Sequence, residues 1–237
     1  MTRSRQLRTI ALVGIDGSGK TTQAHRLADE LAAQGVRAAY RRNAGGRHWF
    51  GRLANRLGRQ DAEELLGRRT MLVIESVLRW LAILRSLLRR RLTGEIAVMD
   101  RYAFCQYASM RARAAGPAAE RRARLAYRLF PRPDITFLLD VDPQVAHERV
   151  EVRGYDHEPT EYLKVAAAAY RSLPEYADFV VIDANGTPDE VAAAIRARLP
   201  LAAGDPPARN PARTLLVAGG SLLALMTALG YQLADSF

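Results

Sequence analysis

The sequence predicts an α/β fold: an open, parallel five-stranded sheet with helices on both faces, plus a C-terminal hydrophobic helix. Three observations predict it. Five runs of strand length are dense in Val, Ile, Leu and Phe, and they are continuously apolar rather than alternating, as strands covered on both faces are. Stretches of helical length separate them, an alternation that favours parallel pairing. Beyond residue 200 the texture changes, first to Pro, Gly and Ala and then to a long uncharged run.

The first strand is "TIALVG" (9–14). Its basic lead superficially resembles a signal peptide, but the apolar run is short and enters a glycine-rich turn, so a buried strand is expected and a cleavable signal is not. A helix follows over 20–34, then a strand at "RAAY" (37–40). The stretch 70–92 predicts a long helix whose apolar side carries Leu81, Leu84 and Leu88, with the arginines of "RSLLRRR" (85–91) on its wet side. "EIAVMD" (95–100), "ITFLLDV" (135–141) and "DFVVIDA" (178–184) are the remaining strands. Helices are expected over 101–114, 118–130, 143–152, 160–173 and 187–198.

These elements make a first domain over residues 1–200, followed by a Pro-rich linker over 201–213. Residues 214–234, "TLLVAGGSLLALMTALGYQLA", form a 21-residue run without a charge. At about 1.5 Å per residue such a helix spans a bilayer core of about 30 Å. Arg209 and Arg213 before it and Asp235 after it place the preceding domain in the cytoplasm, anchored by a single helix. Gly220, Ala224 and Ala228 add a small-residue stripe suited to close helix approach. The alternative is a C-terminal helix packed on the domain, because Gly, Ser, Thr and Gln dilute the apolarity.

The 237 residues are 49% hydrophobic and 25% charged, a globular composition, with a formal net charge of +10. The only lysines are Lys20 and Lys164, so the basicity is arginine, a bias that weakens any argument for a nucleic-acid partner. Against that background Lys20 stands out: a compact ammonium on a flexible stem is wanted there. A single cysteine, Cys105, excludes an intramolecular disulfide framework. His25 and His147 fall on helices, His48 in a basic loop and His157 in a loop near phosphate-binding candidates; none has metal-ligand company, and no Ser-His-Asp spacing is evident.

"GIDGSGKTTQ" (14–23) fits GxxxxGK[ST] in the context the pattern requires, after a buried strand and opening a helix. Glycines let backbone N–H groups converge on phosphate oxygens, and the helix N-terminus adds partial positive charge. Gly14, Asp16, Gly17, Ser18, Gly19, Lys20, Thr21 and Thr22 are therefore candidate ATP ligands. Lys20 reaches the β- and γ-phosphates and the Thr21 hydroxyl ligates Mg²⁺ in this reading. In "VMDRY", Asp100 ends a strand expected beside the first, where its carboxylate shares the Mg²⁺ shell, and Arg101 is placed to stabilise the transferring phosphoryl group. A surface Asp–Arg pair is the plain alternative.

With these motifs, the chain resembles the thymidylate kinase family of nucleoside monophosphate kinases. The resemblance runs over about residues 8–198 through "GIDGSGKTTQ", "DRYAF", "FLLDVDPQVAHERVEVRG" and "DHEPTEYL" followed by Tyr170. It implies a five-stranded parallel sheet, ATP and Mg²⁺ as cofactors, a mobile lid, a nucleotide acceptor with dTMP first, and a homodimer built on helices. It also implies that Arg153, with Arg149 nearby, approaches the transferred phosphate from the lid. By the same resemblance Arg42 binds the acceptor phosphate, Asp16 faces the acceptor sugar, and Arg79 reads the base edge. With so many arginines, a chance alignment of Arg79 is the competing explanation.

Several positions depart from the family. Glu75 stands where an aromatic usually stacks on the base, and its i, i+4 spacing to Arg79 predicts a salt bridge within the helix. Asn43 and Ala44 replace a Glu-Pro pair, Cys105 a serine and Ser109 an aromatic, and "KVAAAAY" lacks the usual lid-helix arginines. Donor chemistry is intact while the acceptor pocket is rewritten. Three readings follow: a dTMP kinase, a kinase of another acceptor (a nucleoside, sugar or membrane-associated small molecule), and an ATP-binding regulatory protein with little turnover.

Overall fold

The computed structural model describes residues 7–46, 67–154 and 158–199. The strands are β1 (Thr9–Val13), β2 (Ala38–Arg42), β3 (Ile96–Asp100), β4 (Ile135–Asp140) and β5 (Val180–Asp183). They form one sheet in the order β2-β3-β1-β4-β5, parallel throughout. Helices are α1 (Lys20–Ala33), α2 (Arg68–Thr93), α3 (Ala103–Ala112), α4 (Pro117–Tyr127), α5 (Pro143–Arg153), α6 (Thr160–Arg171) and α7 (Pro188–Ala197), with a short 3₁₀ turn at Pro174–Asp178.

Burial explains the strand patterns. Every residue of β1 is buried, so both faces of the sheet are covered, by α1 and α7 in one layer and by α2, α3 and α6 in another. The edge strands β2 and β5 are less buried than β1. The predicted strand at 37–40 extends to Arg42, since backbone pairing with β3 carries the chain on to the register Arg42–Asp100.

Helix ends follow local chemistry. Gly94, in the left-handed region at φ 69°, stops α2 and donates to the Arg90 carbonyl at 2.8 Å. Proline occupies the first turn of α4, α5 and α7, and the last also has a Thr187–Glu190 capping box. The helix predicted over 101–114 starts only at Ala103. Arg101 has φ 75° and Tyr102 is extended, so neither can join the helix.

The expected apolar side of α2 is corrected. Met71, Leu72, Trp80, Ile83 and Leu87 form its buried side together with Glu75, Ser76, Arg79 and Ser86, while Leu81 is 41% exposed. Trp80 decides the rotation: its ring is wholly buried against Phe130 and its indole N–H donates to the Ala126 carbonyl at 3.1 Å. That rotation turns Glu75 and Arg79 inward.

The chain runs from β1 to β2 on one side and from β3 across β1 to β4 on the other. The direction reverses at β1, and the crevice outside its C-terminal end is where such sheets bind ligands. Among the described residues no helix is long and apolar enough to cross a membrane. The predicted linker (201–213) and hydrophobic segment (214–234), and likewise His48 and His157, lie outside the described residues.

Candidate active site

A cleft of about 930 Å³ opens at this crevice and runs from the loop after β1 to the inward side of α2. Its floor is the 14–19 loop. Gly14, Gly17 and Gly19 all have positive φ, at 147°, 83° and 86°. A Cβ on Gly14 would lie 2.6 Å from the Leu139 carbonyl oxygen, and one on Gly17 would run into the Ala146 carbonyl of α5. Glycine is required at both by conformation and by space, and the resulting concavity has the size and backbone polarity of a phosphate cradle.

Lys20 opens α1 and is almost fully buried. Its ammonium donates to the Ile15 carbonyl at 2.5 Å and lies 3.7 Å from the Asp16 carboxylate. Burial, then the Arg101 charge, lowers its pKa against the opposing pull of Asp16 and Asp100. Asp16 also accepts from Arg101. Burial works to raise the Asp16 pKa, but Arg101 and Lys20, with Arg153 further off, outweigh it and hold the carboxyl well below the usual range. Burial likewise opposes the charge on Arg101, and Asp16 more than restores it. Three predicted residues thus form one charge cluster, with a carboxylate holding two cations over the cradle.

Asp100, at the end of β3, is buried. Its Oδ2 accepts from the Thr21 hydroxyl at 2.7 Å and the Tyr40 hydroxyl at 3.0 Å, while Oδ1 is buried and has no hydrogen-bond partner. Burial and then the Asp100 charge push the Tyr40 pKa up, so this hydroxyl is a donor at ordinary pH. An orphaned carboxylate oxygen beside a threonine hydroxyl is a hard-oxygen donor set that fits Mg²⁺. No group of three or more His, Cys, Asp or Glu able to hold a metal ion occurs among the described residues.

Arg101 is held in its left-handed conformation from both sides. Its N–H donates to the Leu12 carbonyl at 3.1 Å, and its carbonyl accepts from the Asn43 side chain at 2.8 Å. Asn43 is fully buried and accepts in turn from the Ser86 hydroxyl at 2.9 Å. Such a conformation costs a non-glycine residue on the order of 1–3 kcal/mol and persists where its surroundings over-determine it. Asn43, noted in the sequence only as a departure, is one of those surroundings.

At the far end of the cleft Glu75 and Arg79 are buried to 4% and 5% exposure. The salt bridge expected between them does not form: Arg79 instead donates to the Gln106 side chain, itself fully buried on α3. Gln106 donates to the Leu72 carbonyl at 3.4 Å, so α3 fixes the guanidinium from behind. The loop after β2 closes on the pair, since a Cβ on Gly45 would meet Arg79 at 3.1 Å and Glu75 at 3.3 Å. Arg42, exposed, also lines this end, with Arg85 and Ser109. Cys105 and Tyr170 meet in the wall, where burial and then the Cys105 thiol raise the tyrosine pKa well above its ordinary value.

Both predicted lid arginines line the cleft, in different ways. Arg149 donates to the carbonyls of Ala184, Asn185 and Gly186 at 2.8, 2.9 and 3.0 Å, tying α5 to the loop after β5. Arg153 ends α5, and its charge acts on Asp16. Spacing gave no hint of Arg113, which also lines the cleft, lies 3.3 Å from Glu158 and stacks 4.4 Å over the Tyr162 ring. Gln106 had a signal, an amide inside the otherwise apolar "AFCQYA".

The cleft therefore joins a glycine-bent loop, an oxygen pair of Thr21 and Asp100 that fits a hard cation, and a polar pocket around Glu75 and Arg79. A family model described as thymidylate kinase matches residues 12–195, which include all of these parts. The chain belongs to the thymidylate kinase family. It is 33% identical over 189 residues to a probable thymidylate kinase of Archaeoglobus fulgidus, covering 79% of this chain and 92% of that one. To a thymidylate kinase of Xanthomonas campestris pv. campestris (strain B100) it is 33% identical over 227 residues, 89% and 94% of the two chains. Membership makes the chain an ATP- and Mg²⁺-dependent kinase.

Proposed function

We propose that this chain transfers the γ-phosphoryl group of ATP to dTMP, giving ADP and dTDP. The observation that carries the reading is one shared cleft, lined by the 14–19 loop, by Glu75 and Arg79, and by the Asp16–Arg101 pair. An acceptor phosphate oxygen attacks the γ-phosphorus, the bond from that phosphorus to the β,γ-bridging oxygen breaks, and the leaving oxygen stays on ADP. A phosphate dianion is already nucleophilic, so the residues position and neutralise rather than abstract a proton.

Placement supports the donor-side roles, and the family resemblance supplies the acceptor-side ones. The 14–19 loop, with Thr22, binds the donor phosphates through its N–H groups, and Lys20 exchanges the Ile15 carbonyl for phosphate oxygen. Thr21 and Asp100 would hold Mg²⁺, which would supply charge neutralisation for the donor phosphates. Arg101 and Arg153 stabilise the transferring group, and Arg149 acts by fixing α5 against the loop after β5. Arg42 takes the acceptor phosphate, Asp16 the acceptor sugar, and Glu75 with Arg79 the base edge. A guanidinium that donates beside a carboxylate that accepts matches a ring carrying a carbonyl next to an N–H.

An acceptor screen tests this. Incubated with ATP and Mg²⁺, the protein should form dTDP from dTMP in preference to diphosphates of other nucleotides, read by chromatography. Intact ATP binding with no diphosphate from any monophosphate overturns the reading.

The same proposal takes residues 1–200 as the catalytic domain, 201–213 as a linker and 214–234 as a membrane anchor, on the length and lack of charge of that last run. The full chain should then sediment with membranes, and a version ending at Pro206 should not. A homodimer is the expected assembly, supported by the exposed Leu81 and Leu92 on the outer side of α2. Sedimentation velocity should give twice the chain mass and revert to one chain mass in Leu81→Glu/Leu92→Glu.

A further inference from the structure

The Asp100 carboxylate is used asymmetrically. Both of its donors, Thr21 and Tyr40, converge on Oδ2, and Oδ1 is left buried without a partner. Thr21 belongs to the phosphate-loop pattern, but nothing in that pattern calls for Tyr40. A tyrosine on a half-buried edge strand is ordinary, and strand preference accounts for its ring. It does not account for where the hydroxyl points.

The ring's pose is set by His25, which stacks on it with centroids 3.6 Å apart and planes 21° from parallel. His25 follows Thr21 by four residues on α1, so the two side chains share one face of that helix. One helical face therefore supplies the first donor to Asp100 and orients the second. A carboxylate held by two donors on one oxygen cannot rotate freely about its χ2, so the other oxygen points in a fixed direction. That direction would otherwise have to be chosen on binding, at an entropic cost.

We propose that Tyr40 is a positioning residue for the metal end of this site: its hydroxyl holds the Asp100 carboxylate so that Oδ1 is presented, already oriented, to the divalent cation that accompanies the nucleotide phosphates. The proposal rests on the reading of Asp100 and Thr21 as the cation-holding pair. Thr21 can keep donating to Oδ2 while its own lone pairs face the cation. The circuit of α1, β2 and β3 is then the same before and after the nucleotide binds.

The experiment measures binding rather than turnover. The affinity of the full chain for a non-hydrolysable ATP analogue is determined by calorimetry in Mg²⁺ and in EDTA, and the ratio of the two affinities reports the cation's contribution. Tyr40→Phe should lower that ratio roughly tenfold, the scale of losing a partner that orients a metal ligand, while the EDTA affinity stays as in the wild type. His25→Ala, which keeps the hydroxyl but frees the ring, should lower it by a smaller factor, and serves if Tyr40→Phe folds poorly. Mn²⁺ substituted for Mg²⁺ should show the same loss as fewer bound ions by electron paramagnetic resonance. Tyr127→Phe is the control: it loses a buried hydroxyl bond of 2.7 Å to the Ser76 carbonyl and should leave the ratio unchanged.

Asp100→Asn separates this inference from the reading beneath it. If Asp100→Asn keeps the wild-type ratio, the assignment of Asp100 to the cation fails. If Asp100→Asn collapses the ratio while Tyr40→Phe and His25→Ala retain it, the role of Tyr40 alone is overturned. An equal fall in Tyr127→Phe also overturns it, since the effect would then be general loosening.

Discussion

The two ends of the cleft are built by different means. The proposed donor end is made largely of consecutive backbone, residues 14–21, bent by glycines into a shape that only glycine can hold. The proposed acceptor end is made of side chains from α2, α3 and the loop after β2, with Arg79 anchored by its hydrogen bond to Gln106. A contiguous cradle tolerates little change and shows in any sequence that contains it. A pocket assembled from distant side chains can be rewritten residue by residue while the fold persists, as Glu75, Asn43 and Ser109 illustrate here.

If that contrast is right, damage should respect the boundary between the ends. The largest effect is expected from Lys20→Ala, which should lower kcat by roughly 10²–10³-fold through lost charge stabilisation, with dTMP binding measured by calorimetry nearly unchanged. Gly17→Ala should come next and act through the fold. A side chain at φ 83° that also meets the Ala146 carbonyl should cost about 3 kcal/mol in urea unfolding, and donor affinity should fall with it.

Arg79→Leu should raise the KM for dTMP roughly 10- to 100-fold, the worth of a charged hydrogen bond, and leave the KM for ATP unaltered. An equal rise in both constants would mean that the two ends are one unit and the contrast is false. The smallest and most local expectation concerns pH. Asp16 has its pKa depressed in the folded chain, so the unfolded chain takes up a proton first as the medium becomes acid. Its stabilising contribution is complete above the ordinary aspartate value of 3.8 and drains away as pH falls through the depressed value. Unfolding free energy followed from pH 7 to pH 3 should therefore drop less in Asp16→Asn than in the wild type.

Much of the molecule could be read before it was seen. All five strands and the long helices lie where apolar runs and their separations placed them, because buried parallel strands need continuous apolarity whatever they pack against. Errors came where tertiary contacts override local pattern. Of the expected apolar side of α2, Leu84 packs on the core but Leu81 is exposed, because the demand of Trp80 for a deep pocket and a carbonyl partner rotates the helix. Helix α3 starts two residues late because Asn43 and Leu12, distant in sequence, hold Arg101 outside helical geometry. The Glu75–Arg79 pair satisfied every local rule for a salt bridge and lost to Gln106, which no spacing rule connects to α2.

By itself, then, the sequence determined the sheet, the glycine-rich 14–19 loop and the kinase family, because each is carried by residues close together in the chain or by a strand's own apolarity, whereas Thr21 and Asp100, distant in the chain, are brought together only by the fold. Only the tertiary structure decided that Asp16 binds both Lys20 and Arg101, that Arg149 is engaged by carbonyls of the loop after β5, and that Tyr40 and His25 brace Asp100. The physical reason is one of range. Backbone conformation and hydrophobic periodicity are set within a few residues, whereas the direction of a buried polar side chain is set by whichever partner the fold brings within about 3 Å.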